Sequence, residues 1–106
     1  VTSRQREHPA AVEEFDAAVL WYEHRSPGTG LTLIDRAAQA RADLGAWPEA
    51  APLFPEWAGT VAVRSKSIPG FPYRIVYVVN EDSSVLILAY AHEKRRPGYW
   101  VRRLDV

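Results

Sequence analysis

The apolar positions of the chain change period near its middle. Over Val12–Tyr22 they fall at Val12, Phe15, Val19 and Tyr22, and Ala11, Ala18 and Trp21 widen this stripe. Spacings of three, four and three residues place these side chains on one side of a helix. His8-Pro9 opens that helix, since a proline at the first helical position loses no intrahelical hydrogen bond. Glu13 and Glu14 are read as acidic residues near the positive end of the helix dipole. The run SPGTG, Ser26–Gly30, stops the helix. A second helix is expected from about Leu31 to Leu44. Leu31, Ile34 and Ala38 form its stripe, which Leu33, Ala37, Ala40 and Leu44 widen, and Gly45 and Pro48 end it. Two helices joined by so short a turn form an antiparallel hairpin.

Beyond Gly45 the helical period is lost. The segment Ala46–Gly59 carries Pro48, Pro52 and Pro55, which argue against regular structure. Its Trp47, Leu53, Phe54 and Trp57 are too apolar for a free linker, so the loop is expected to lie on the core. A period of two follows. Thr60–Ile68 alternates Val61, Val63 and Ser65 with Ala62, Arg64 and Lys66. Tyr73–Val79 and Ser84–His92 are apolar on both faces and are separated by the turn NEDSS, a hairpin of two central strands. The helical hairpin covers one side of such a sheet. No second cover is evident in the sequence, which points to a partner. Val1–Glu7, short and polar, is compatible with a first edge strand or an arm.

Composition narrows the class. With 106 residues, 47% of them hydrophobic, the chain is expected to form a single domain, residues 1–106, with a real core. The absence of cysteine excludes disulfides, thiol nucleophiles and thiolate metal sites. His8, His24 and His92 lack ligand-like spacing, so neither metal nor cofactor is expected. No apolar run approaches the roughly 18 residues of a membrane span, and the charged N-terminus lacks the apolar block of a signal peptide. A soluble cytoplasmic protein without membrane contact is the expectation.

Formal net charge is zero, but it is divided unevenly. Residues 1–56 hold five arginines against nine acids, a net of −4, and residues 57–106 hold eight cations against four acids, a net of +4. The basic half ends in AYAHEKRRPGYW, Ala89–Trp100. In a three-stranded meander, Arg64, Lys66, Arg74, His92, Lys94, Arg95 and Arg96 have the makings of a cationic groove with Tyr99 and Trp100 beside it. Such a groove suits phosphates and stacked bases. The same residues also suit a solvated rim whose stems lie on apolar surface. His92 has a side chain fit for proton transfer near neutral pH, and equally for hydrogen-bonding backbone at a strand end. PGYWVRRL reads as one short helical turn, with Trp100 more than Tyr99 suited to plug the sheet. Gly-rich phosphate loops, GxSxG, HExxH and paired catalytic carboxylates are absent from the sequence.

The order helix, helix, Pro-rich loop, VRSKSIPGFPYRIVY and LAYAHEKRRPGYWVRR resembles the RelE/ParE superfamily of bacterial toxins. EHPAAVEEFDAAVLWYEHRSPGTG is similar to the first helix and turn of those proteins. The most specific parts are Phe71–Tyr77 and Ala91–Trp100, and the resemblance covers nearly the whole chain. It implies an α+β fold, with an N-terminal helical hairpin packed on a small antiparallel sheet and a short C-terminal helix. It also implies the toxin of a type II toxin–antitoxin module, held as a hetero-oligomer by a small antitoxin that supplies the missing cover. RelE-like members cut mRNA on the ribosome without a metal, whereas ParE-like members poison DNA gyrase. Under the nuclease reading, His92 or Lys66 accepts the proton, Arg64, Arg74 and Arg95 stabilise charge, and Tyr99 positions the base. Lys94, Arg96, Trp100 and Arg102 are candidate contacts to target or antitoxin. The neutral overall charge, and the AYAH strand end with its following Pro-Gly, favour the ParE type. A non-toxic module that only binds an antitoxin is the third reading.

Overall fold

A computed structural model describes residues 3–54, 59 and 61–105. The elements run β1 (Gln5–Glu7), α1 (Pro9–Arg25), α2 (Thr29–Ala46), β2 (Arg64–Ser67), β3 (Tyr73–Val79), β4 (Val85–His92) and a 3-10 turn, Val101–Asp105. His8 is the N-cap of α1. Its Nδ1 accepts the Ala10 N–H at 3.1 Å, and Pro9 takes the first helical position. Only Ser26–Gly28 separate the two helices. Glu23 caps the second by accepting the Gly28 and Gly30 N–H groups at 2.8 and 2.9 Å. At Gly30 the helices approach so closely that a Cβ would sit 2.7 Å from the Val19 carbonyl oxygen.

The sheet order is β1-β4-β3-β2. β2, β3 and β4 form an antiparallel meander, and β3 and β4 are the central strands expected from their two-sided apolar pattern. β1 is a strand and not an arm. It lies parallel to β4, with Gln5 opposite Val85 and Glu7 opposite Ile87, so the sheet is mixed where a wholly antiparallel one was expected. Val76 pairs with Ala89 and Tyr77 with Ile87, which leaves Leu88 as the extra residue of a β-bulge. Leu88 and Ala89 therefore both face away from the helices.

Each face of the sheet carries its own core. On the helix face, Ala11, Ala18, Leu33, Ala37, Ala40 and Leu44 pack on Ile75, Tyr77, Val85, Ile87 and Tyr90. The stripes are rotated from their expected phase. In α2 the buried set is Leu33, Ala37, Ala40 and Leu44, while Leu31 and Ile34 are exposed. In α1, Val12 and Trp21 are exposed and Glu14 turns inward. Glu13 and Glu14 lie beyond the first helical turn, so the dipole does not account for them.

The opposite face is covered by the chain itself, which corrects the expectation of a missing cover. Trp100, 0% exposed, seats on Val63, Val76, Leu88 and Ala91, with Phe54, Tyr99 and Leu104 around it. Of the loop residues expected on the core, Phe54 meets Trp100 edge-on at 5.2 Å, whereas Trp47 and Leu53 are exposed. Trp57 and Thr60 lie outside the described residues. β2 begins only at Arg64, and the backbone of Leu53 and Phe54 runs beside it.

Candidate partner and target surface

β1 ends opposite Ile87, so beyond that point the outer edge of β4 has no strand partner among the described residues. Side chains close it. The Arg103 guanidinium donates to the Leu88 carbonyl at 2.8 Å, and Glu14 accepts the Tyr90 N–H at 3.2 Å. Glu14 reaches this edge from α1 and Arg103 from the 3-10 turn on the other face. The two meet as a forked pair, with Nη1–Oε1 at 2.8 Å and Nη2–Oε2 at 3.1 Å. The Tyr99 hydroxyl also donates to Glu14, at 2.6 Å, and Arg95 approaches it at 3.5 Å. Arg95 stacks on the Tyr99 ring, 3.7 Å from its centroid. Burial, and then the bond to the Glu14 carboxylate, raise the Tyr99 phenol well above its usual pKa. The same carboxylate raises Arg103.

On the sheet face away from the helices lies a cavity of about 430 Å³ bordered by Phe54, Arg74, His92, Arg95, Arg96 and Tyr99. His92 Nδ1 accepts the Lys94 N–H at 3.0 Å. The proton of the neutral ring therefore sits on Nε2, making that nitrogen a donor. Arg74 is held against β2 by its bonds to Ser65 Oγ at 2.9 Å and to the Ser65 carbonyl at 3.2 Å. The cavity thus offers cations and donors. Of the residues singled out in the sequence that border it, the two that could take a proton are engaged, since His92 has committed its acceptor nitrogen and the Tyr99 phenol is held protonated; exposed Glu93 is the carboxylate among the lining residues.

The ten residues singled out in the sequence do not all converge. Arg74, His92, Arg95, Arg96 and Tyr99 border this one cavity. Trp100 also touches it, but as a wholly buried core residue it offers no docking side chain. Arg64 and Lys66 pair with Tyr77 and Ile75 and so share the helix face of the sheet, away from that cavity. Arg64 tethers the loop through the Ala51 carbonyl at 2.7 Å. Lys66 borders a separate cavity with Asp43, Trp47 and Arg74. Lys94 and Arg102 are exposed. Glu14 and Arg103 were missed. A carboxylate between Ala11 and Ala18, at stripe spacing from both, was the signal that a charge lay on the buried side.

Architecture links the chain to a solved structure. The chromosomal ParDE TA system from P. aeruginosa contains a chain that superposes with a TM-score of 0.71 over 86% of this chain and 96% of that one, at 17% identity. No family model and no curated protein matches the sequence. The fold is ParE-like: two helices on a four-stranded mixed sheet. Among the described residues, no helix is long and apolar enough to cross a membrane.

Proposed function

We propose that this protein is the toxin of a type II toxin–antitoxin module, neutralised by a small antitoxin, and that it arrests growth by docking on DNA gyrase. The observation that carries the choice of target is the committed state of the candidate catalytic groups. Metal-free cleavage of RNA needs an acceptor for the 2′-hydroxyl proton. His92 spends its acceptor nitrogen on the Lys94 N–H, Tyr99 is bound to Glu14, and Lys66 and Arg64 stand on the other face of the sheet. A docking surface needs none of this chemistry, and exposed Lys94, Arg96 and Arg102 suit one. The ParE-like fold supports the module reading and the antitoxin partner. Both targets named for this fold type are intracellular, so the site of action is the cytoplasm.

A second reading, a ribosome-dependent mRNA endonuclease, is favoured by the cations Arg74, Arg95 and Arg96 around one cavity. Induction of the protein in cells pulse-labelled for new protein and new DNA separates the two. Arrest of DNA synthesis first, abolished in a gyrase-resistant host, supports docking on gyrase. Arrest of protein synthesis first, unchanged in that host and lost in a folded His92→Ala variant, overturns it in favour of cleavage.

A further inference from the structure

His92 and Arg95 also border a second depression on the helix side, about 390 Å³ in volume, which Trp21, Tyr22 and Tyr73 help to wall. We infer that this depression is a carboxylate site: it takes an acidic group carried on an apolar body, supplied by the protein partner that the module reading requires. The inference rests on that reading for the identity of the partner, but not for the chemistry of the site.

Tyrosine hydroxyls single the depression out. Tyr77 donates to the Pro48 carbonyl, Tyr90 to Glu7 and Tyr99 to Glu14, at 2.5, 2.5 and 2.6 Å. Tyr22 and Tyr73 are the remaining two, and their hydroxyls bond to no described residue. Their rings stand 6.4 Å apart, and Tyr73 meets His92 edge-on at 5.0 Å. The two phenols, His92 Nε2–H and the Arg95 guanidinium thus supply donors around one space. The lone carboxylate among the lining residues, Glu14, is already engaged by Arg103, Tyr99, Arg95 and the Tyr90 N–H. Burial, with lesser contributions from Tyr22 and Glu14, raises the Tyr73 phenol and keeps it a donor.

The Arg95 guanidinium and His92 Nε2–H only donate, and the two phenols can turn their O–H groups the same way, so the set favours an anion. The size of its charge follows from the neighbours. Glu14 balances one of the two guanidiniums beside it, Arg103 at 2.8 Å and Arg95 at 3.5 Å, which leaves a single positive charge at the site. A monoanion neutralises that charge, whereas a dianionic phosphate leaves an unbalanced negative charge beside Glu14. The aromatic walls then favour a carboxylate with an apolar stem over a small hydrated ion.

The test follows the tyrosine ring signals of the full chain by NMR, with Tyr22→Phe and Tyr73→Phe assigning their two signals. The probes are benzoate, its neutral analogue benzamide, and inorganic phosphate. Saturable shifts of Tyr22, Tyr73 and His92 with benzoate, weakened about tenfold or more in the Tyr22→Phe/Tyr73→Phe double variant, support the site. Equal binding of benzamide would reduce it to an apolar hollow, preferential binding of phosphate would make it a phosphate site, and no saturable shift would remove it. Each of these three results overturns the inference. A second arm uses the product of a neighbouring reading frame that neutralises growth arrest. If that complex forms with undiminished affinity in the double variant and benzoate does not compete, the carboxylate anchor is wrong while the antitoxin reading stands. If no neutralising partner exists, the module reading fails, and the benzoate result alone decides the site.

Discussion

Glu14 receives donors from four residues: Tyr90, Arg95, Tyr99 and Arg103. Its side chain and that of Arg103 are only 15% and 17% exposed, so water screens the pair weakly. Glu14→Gln keeps the shape but removes the charge and turns an NH2 group toward donors. The expected loss of stability is about 2–3 kcal/mol, near the low end for breaking a buried pair because this one keeps some solvent. Urea unfolding of Glu14→Gln, Arg103→Met and the double variant measures it, and a coupling below about 0.5 kcal/mol would show that the two residues act independently. The tyrosines add a prediction at high pH. Tyr73, Tyr77, Tyr90 and Tyr99 are each raised above the ordinary 10.0, by burial first in every case. The folded protein therefore holds these protons more tightly than the unfolded chain does. The stabilisation is intact below the unfolded value of 10.0 and is lost as pH rises from there through the folded values. Phenolate absorbance and loss of the fold should rise together above pH 10. Ionisation of these four at their ordinary value, with the fold unchanged, would contradict the burial assigned to them.

Helix stripes show what periodicity conveys and what it omits. The existence of both helices, the hairpin turn and the central strands follows from spacing and punctuation, and β3 spans the expected Tyr73–Val79. The phase of the stripes was not legible, because hydrophobicity ranks leucine and isoleucine above alanine. Close approach reverses that ranking here: Ala11, Ala37 and Ala40 are at most 1% exposed, while Leu20 and Leu31 are at least 60% exposed. Small residues let the helices come near each other and the sheet. The tightest point is Gly30, where a methyl group would lie 2.7 Å from a backbone oxygen and 2.9 Å from the Glu23 carboxylate that caps α2. Gly30→Ala must spread the hairpin or break the cap, and about 2 kcal/mol or more of destabilisation is expected. Gly28 differs. Its φ of +94° disfavours a side chain, but the space around it is open, so Gly28→Ala should cost about 1 kcal/mol. Thermal unfolding of the two variants checks the order, and an equal loss at both sites would argue against the close helix approach.

For the molecule as a whole, the three-dimensional meeting of distant segments decides both the fold and the candidate site. The basic run near residue 95 was visible in the sequence, but its acidic counterpart, Glu14, lies some eighty residues earlier, and nothing local links them. The strand pattern gave two apolar faces, yet the cover of the second comes from a C-terminal turn too short to announce itself by period. Trp100 fills that face, Leu104 flanks it, and Arg103 fastens the turn to Leu88 and Glu14. A chain ending at Gly98 would lose all of these and bare Val76, Leu88, Ala89 and Ala91. Trp→Ala at a buried site alone costs about 3–5 kcal/mol, comparable to the whole stability of a small domain. The truncated chain should therefore lose cooperative unfolding, bind a hydrophobic dye and aggregate, even though both helices and the meander remain in its sequence. Trp100→Phe, which keeps an apolar ring in the seat, should stay folded with reduced stability. If the chain ending at Gly98 instead unfolds cooperatively at an unchanged urea midpoint, the helical hairpin and sheet are self-sufficient. The C-terminal turn would then be a movable surface element and not part of the core, and the exposed second face would again call for a partner as its cover.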